Sequence, residues 1–377
     1  MIRATTGIPH GNAVVLSSGR RGGMDELVFM PDPHGGTEVL WFCFRLERFP
    51  RAPRGRRVRL VLANVHNLLG GGWWEDEDPR TIRPVVRRPG SDWERLGAGA
   101  VVREQDGRFH VAWETAGPAP WMDIAVCYPY GRPELDGLLR DTRGSFTSDT
   151  VGLSQGGRPL VRLSNGGGEE GSARPGLFVT ARQHSGETPG SWVMDGLLRR
   201  MASLGRRAPL VWAVPFVDLD GVERGDYGKD NFPWDLNRAW GDPPMRHETL
   251  FLQHDFLRWK KRCRPVLTLD LHGPGATEAY GTYVSLPGNY RKLGRGKPTM
   301  RMARRLMAAL GNFGAPRTPV TPGYLSRWNT ARFDEFAVAN GVPSFVVEIP
   351  YALARGRVLT RETYREMGAK MASILVS

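Results

Sequence analysis

The sequence predicts an α/β protein in two parts, an N-terminal antiparallel β-sandwich over residues 1–135 and a mixed, mostly parallel α/β/α domain over 136–377. Three observations carry this expectation. At 377 residues, the chain is long enough for two domains. Its first third consists of short branched and aromatic runs with no helical stretch between them. After about residue 135, apolar strands alternate with amphipathic helical segments, the pattern of a layered sheet covered by helices.

The strands of the first part are Val39 to Leu46, Val58 to Ala63, Thr81 to Val86, Ala98 to Arg103, Phe109 to Trp113 and Asp123 to Tyr128. Gly, Pro and Asp clusters separate them at close intervals, as a small antiparallel sandwich requires. In the second part, Leu177 to Thr180, Leu210 to Val214, Val266 to Leu269 and Phe345 to Val347 read as buried strands. Helices are expected at 189–203, 247–262, 298–311, 330–340 and 360–375. In the third of these, Met302, Leu306, Met307 and Leu310 share one face, and Arg301, Arg304 and Arg305 point away. The Gly-rich tract Ser164 to Ser172 reads as an exposed loop between two strands.

Hydrophobic residues make up 40% of the chain and charged residues 24%, which excludes global disorder. Lys and Arg number 52 against 39 Asp and Glu, a formal charge of +13 that favours anionic partners. The basic residues are spread along the chain, so a basic surface is expected and a dedicated nucleic-acid groove is not. Cys43, Cys127 and Cys263 lie far apart with no C-x-x-C spacing, which fits a reducing compartment. No apolar signal region opens the chain and no apolar run reaches about 18 residues, so a cytoplasmic protein without a membrane span is expected.

Four segments at or beyond strand ends carry chemistry, where ligands gather in open α/β sheets. Arg182-Gln183-His184-Ser185-Gly186-Glu187 follows one strand, and its H-x-x-E aims an imidazole and a carboxylate at one point. Asp270-Leu271-His272-Gly273 ends a second; His272 supplies a third donor and Asp270 is placed to orient the site. Val346-Val347-Glu348-Ile349 ends a third, and a carboxylate at the tip of an apolar strand is costly unless functional. Asp235-Leu236-Asn237-Arg238 lies between them, its Asn-Arg pair suited to gripping a carboxylate. Two histidines and one carboxylate are the donor set of a catalytic zinc that keeps a position for water. His184, Glu187 and His272 are therefore the expected ligands of one Zn²⁺, Glu348 the general base, and Asn237 with Arg238 the anchor for a substrate carboxylate.

This set of motifs resembles the zinc metallocarboxypeptidases of the carboxypeptidase A superfamily, most closely the cytosolic carboxypeptidase branch, whose members remove C-terminal residues, often glutamates, from proteins. The stretch from Trp41 to Tyr130 is similar to that branch's N-terminal β-sandwich. His184 to Glu187 matches the first zinc motif, Asp218-Leu219-Asp220-Gly221-Val222 looks like its N-P-D-G-V turn, Asp235 to Arg238 matches D-L-N-R, and Asp270 to Gly273 matches D-L-H-G. Glu348 stands where the family keeps its catalytic glutamate. The family's G-N-Y-R, whose arginine stabilises the oxyanion, is here Gly225-Asp226-Tyr227-Gly228. Gly228 thus occupies the arginine's place, leaving Lys229 or Arg224 to supply the charge; Tyr324 is the candidate for the family's substrate-capping tyrosine. Pro274 and the Ile349-Pro350-Tyr351 run also depart from the branch's usual residues.

The resemblance implies a zinc-dependent hydrolase, a metallopeptidase acting on a C-terminal peptide or isopeptide-like bond. Its substrate is a peptide or protein C-terminus, or a small amide, with no specific nucleic acid and no membrane. Two alternatives stay open: a small-molecule deacylase or amidase with the same zinc centre, and a non-catalytic basic binding protein with a relic site.

Overall fold

The structure, a computed structural model, describes residues 2–34, 36, 38–48, 57–63, 65, 78–103, 105, 108–118, 120–229, 235–291, 296–317, 319–321 and 331–374. Tyr324 lies outside the described residues. Mixed sheets and helices form an α/β protein, as the sequence predicts.

Two five-stranded sheets build the N-terminal part. One runs in the order Ile2–Thr5, Cys43–Arg48, Trp121–Ala125, Val85–Arg87 and Glu94–Arg95; the other runs Val14–Arg21, Met24–Met30, Arg57–Leu62, Phe109–Ala116 and Ala100–Arg103. Along Met24–Met30 every second residue is buried, so one face of the strand meets the core. Phe29 on that face meets Phe44 of the opposite sheet at 4.8 Å between ring centroids. The pairing is antiparallel except between Met24–Met30 and Arg57–Leu62, which run parallel.

The expected strands are found with shifted edges. Val39 to Phe42 is buried without ladder pairing, and the strand begins at Cys43. The expected Thr81 to Val86 strand starts late, because Pro79–Thr81 forms a helical turn and Pro84 has no N–H to donate to a ladder. Three strands before residue 38 escaped the sequence reading. Two of them form a hairpin about Gly22-Gly23, both at positive φ, a turn signal present in the sequence.

The second part is built on an eight-stranded sheet in the order Thr147–Leu153, Pro159–Ser164, Leu210–Val214, Pro175–Ala181, Arg264–His272, Ser344–Glu348, Tyr283–Ser285 and Val320–Thr321, with a separate two-stranded ribbon, Leu353–Ala354 and Arg357–Val358. Its centre is parallel: Pro175–Ala181 pairs in parallel with Leu210–Val214 and with Arg264–His272, which pairs in parallel with Ser344–Glu348. Strand alternation divides the core. Leu177, Val179, Val211, Leu267, Leu269 and Leu271 face the layer of Thr188–Leu204, Gly296–Leu310 and Arg361–Ser373. Phe178, Leu210, Trp212 and Val214 face the opposite layer, built by His247–Lys261 and Phe333–Ala339. Helices Thr188–Leu204 and Arg361–Ser373 approach closely because Gly196 and Gly368 meet the partner helix with no side chain; a Cβ at either would lie about 2 Å from a backbone oxygen.

The two parts share one apolar cluster, running from Phe44 and Ile124 through Tyr130 to Trp192 and Leu269. Tyr130 and Trp192 meet edge to face at 4.9 Å. The predicted boundary at residue 135 falls within the helix Arg132–Asp141, whose Leu135 and Leu138 are in the same cluster. Among the described residues no helix is long and apolar enough to cross a membrane.

Candidate metal centre and its surroundings

Strand register assembles the site. In the parallel ladder Ala181 lies opposite Leu271, and His272 lies opposite Glu348. Three neighbouring strands therefore end at one level, and the loop 182–187 carries His184 and Glu187 over their tips. That loop is held from inside. Arg182, buried and at φ 62°, donates from Nε to the Ser185 carbonyl and from Nη1 to the Tyr130 carbonyl at 3.0 Å. Glu187 then opens the helix Thr188–Leu204, with Pro189 in its first turn.

The three predicted donors come together. His184 Nδ1 lies 2.7 Å from Glu187 Oε1, and His272 Nδ1 lies 2.8 Å from Glu187 Oε2. All three are buried, and one ligand atom from each lies within 4.8 Å of the other two. Each imidazole turns its other nitrogen to a second carboxylate. His184 Nε2 is 3.2 Å from Asp235 Oδ2, and His272 Nε2 is 3.0 Å from Asp270 Oδ2. An Nε2–H donated to each aspartate leaves both Nδ1 lone pairs facing the Glu187 carboxylate, which is the tautomer a divalent cation requires. The donor chemistry thus fits a metal ion held by His184, Glu187 and His272.

Electrostatics agree with that grouping. Burial alone would depress the His184 pKa, but the charges of Glu187 and Asp235 outweigh it and hold the group at about 9. Burial likewise opposes charge on His272, yet Asp270 and Glu187 raise it well above its ordinary value. Glu187 sits between both imidazoles, which pull its carboxyl far below the usual range despite burial. A cation in this position would displace those protons and take over the same carboxylates.

Asp270 is fully enclosed. Thr180 Oγ1 donates to Oδ1 at 2.7 Å and Gln183 Nε2 to Oδ2 at 3.0 Å, while Trp240 Nε1 fixes the Gln183 amide by donating to its Oε1 at 2.9 Å. Asn237 lies against His272, its Nδ2 3.3 Å from His272 Nε2, and its backbone N–H donates to Asp235 Oδ1 at 2.7 Å. Arg238 is buried beside it, with Nη1 donating to the Asn237 carbonyl at 3.0 Å.

Glu348 lies beside the three donors with Oε2 buried and not hydrogen-bonded. Burial raises its carboxyl to about 7; His272 and Lys229 oppose that rise, and Glu187 and Glu278 add to it. Lys229 pairs with Glu38 at 2.8 Å, and its positive charge acts on both Glu187 and Glu348. Arg224, the other candidate cation, pairs with Asp226 at 2.7 Å.

Gly228 is required where it stands. Its φ is +88°, and a Cβ there would lie 2.6 Å from the Ser185 backbone nitrogen and 2.6 Å from its hydroxyl. Sequence reasoning missed Asp235 as the group orienting His184, although its place two residues before Asn237 put it in the same turn. It also missed Glu38 and Arg182. The role of Glu38 depends on a contact distant in the chain, and Arg182 holds the loop through both the nearby Ser185 carbonyl and the distant Tyr130 carbonyl.

No family model matches the chain. Cytosolic carboxypeptidase 6 from Mus musculus is 36% identical over 245 residues, covering 60% of this chain and 44% of the mouse protein. The Homo sapiens protein of the same name is 35% identical over 245 residues, covering 60% of this chain and 47% of its own length. Over these 245 residues the chain is similar to the cytosolic carboxypeptidases. It spans less than half the length of those two relatives. Among solved structures, a metallo-carboxypeptidase from Burkholderia cenocepacia superposes with a TM-score of 0.76 at 19% identity, covering 100% of this chain and 98% of that one. A metallo-carboxypeptidase from Pseudomonas aeruginosa, in complex with (2-guanidinoethylmercapto)succinic acid, gives 0.75 at 20% identity, covering 99% and 98%. At those identities the likeness shows the fold, and it extends over both parts of the chain.

Proposed function

We propose that this cytosolic carboxypeptidase-like chain is a zinc-dependent carboxypeptidase that hydrolyses a C-terminal peptide or isopeptide-like bond. One observation carries the reading: two imidazoles present Nδ1 to a single buried carboxylate, each anchored behind by an aspartate, with a fourth carboxylate, Glu348, alongside. His184, Glu187 and His272 would hold the ion. A bound Zn²⁺ supplies Lewis acidity, which polarises a carbonyl and acidifies water.

The chain's own residues account for the remaining steps. Glu348, lifted toward neutrality, is suited to take a proton from water at a carboxylate oxygen and return it to the leaving amine. Asn237, which lies against His272, and the adjacent Arg238 would together fix a substrate carboxylate and so set the last peptide bond against Glu348. The three cysteines are buried and unpaired, in keeping with a cytoplasmic location.

The test is a set of peptides with varied C-termini incubated with zinc-loaded protein, read by mass for loss of the last residue. The wild-type chain is expected to shorten free peptides and to leave C-terminally amidated ones intact. Glu348→Gln is expected to abolish turnover with zinc content unchanged. Normal hydrolysis by that variant would overturn the mechanism, and preferential cleavage of N-acyl amino acids would favour a deacylase instead.

A further inference from the structure

We propose that Glu38, contributed by the N-terminal part of the chain, is a positioning residue of the candidate active site, holding the Lys229 ammonium beside the metal-site carboxylates. The inference rests on the carboxypeptidase reading and extends it, because the site is then incomplete without the N-terminal part.

Three contacts place the N-terminal part against the segment 225–229, and a fourth places it against the neighbouring metal loop. Asn12 Nδ2 donates to the Gly225 carbonyl at 2.9 Å, and His34 Nδ1 lies 2.7 Å from Asp226 Oδ1. Trp41 packs so closely on Gly186 that a Cβ there would meet its own Cβ at 2.8 Å. Glu38 completes the set with its 2.8 Å bond to Lys229, where the two side chains are 25% and 24% exposed. The same segment is bound to the metal loop from the other side. Gly186 N–H donates to the Tyr227 carbonyl at 2.9 Å, and Ser185 Oγ donates to the Asp226 carbonyl at 3.1 Å. Lys229 therefore leaves the backbone one residue beyond the point where Gly228 touches Ser185.

Chemistry supplies the reason for a tether. An arginine at 228 is excluded by the turn, and the residue that follows it is a lysine on a flexible four-carbon stem. Unanchored, such a stem samples many rotamers, and an ammonium stabilises developing negative charge best when it is fixed beforehand. Glu38 accepts one N–H of the ammonium, which carries three donors in all. Attack of water on a substrate carbonyl places negative charge on its oxygen, and an ammonium with donors to spare is suited to meet it.

The test uses the full zinc-loaded chain and the variants Glu38→Gln, Lys229→Met and the double variant. Lys229→Met is expected to lower kcat about 10²-fold with KM nearly unchanged. Glu38→Gln is expected to give a smaller loss in kcat, and the double variant no further loss beyond Lys229→Met alone. Lys229→Arg is expected to restore part of the rate. Labelling of the Lys229 amine by an acylating reagent, read by mass, is expected to speed up in Glu38→Gln. Wild-type kcat in Glu38→Gln, multiplying losses in the double variant, or an unchanged labelling rate would each overturn the proposal. A wild-type chain that releases no C-terminal residue would instead sink the carboxypeptidase reading, while the labelling rate still reports on the pair.

Discussion

Glu348 is the residue on which chemistry and stability pull in opposite directions. Its carboxyl is raised by burial from 4.5 to about 7, so folding favours the protonated form. The contribution is complete below the unfolded value and is lost as pH rises through about 7. Above that pH, and without a metal ion, the ionised group costs about 3 kcal/mol. Metal-free Glu348→Gln is therefore expected to unfold at higher urea than wild type at pH 8, with the gap closing toward pH 4.5. Equal midpoints at both pH values would contradict this account of its surroundings. The candidate metal ligands were legible in the sequence because His272 ends one strand and His184 and Glu187 lie in the loop that follows another, so position along the chain fixed position in space. Asp235 behind His184 and Glu38 beside Lys229 were not, since those pairings depend on how distant segments pack.

Among the elements, the turn 225–229 sets the site most tightly. It is stapled to the loop 184–187 by two hydrogen bonds and by the contact of Gly228 with Ser185. Restoring the arginine of the resembled family at this position therefore meets both a left-handed backbone and a backbone nitrogen 2.6 Å from the new Cβ. Gly228→Arg is expected to lose at least about 2 kcal/mol of stability in denaturant titration. Unchanged stability would mean that the turn is looser than described. Element types in the second part were readable from the sequence, because buried strands and amphipathic helices differ in period and length. The N-terminal hairpin was missed because its strand Val14–Arg21 is almost wholly exposed and carries no apolar face.

The whole molecule is organised around a core that crosses from the sandwich into the sheet domain. Arg95 in the first part donates to the Leu359 carbonyl of the second at 3.0 Å, and Cys127 Sγ donates to the Tyr351 carbonyl at 3.3 Å. A fragment of residues 129–377 would expose Trp192 and the metal loop where Tyr128 and Trp41 now cover them. Such a fragment is expected to show no cooperative thermal transition, in contrast to the full chain; a sharp melt would show the parts to be independent. Central to the account is one ion held by positions 184, 187 and 272, and equilibrium zinc titration of the metal-free full chain tests it most directly. One Zn²⁺ per chain is predicted for wild type and Glu348→Gln, about 10–100-fold weaker binding for Asp235→Ala, and no tight site in His184→Ala, Glu187→Ala or His272→Ala. Wild-type affinity retained in any of those last three variants would contradict it.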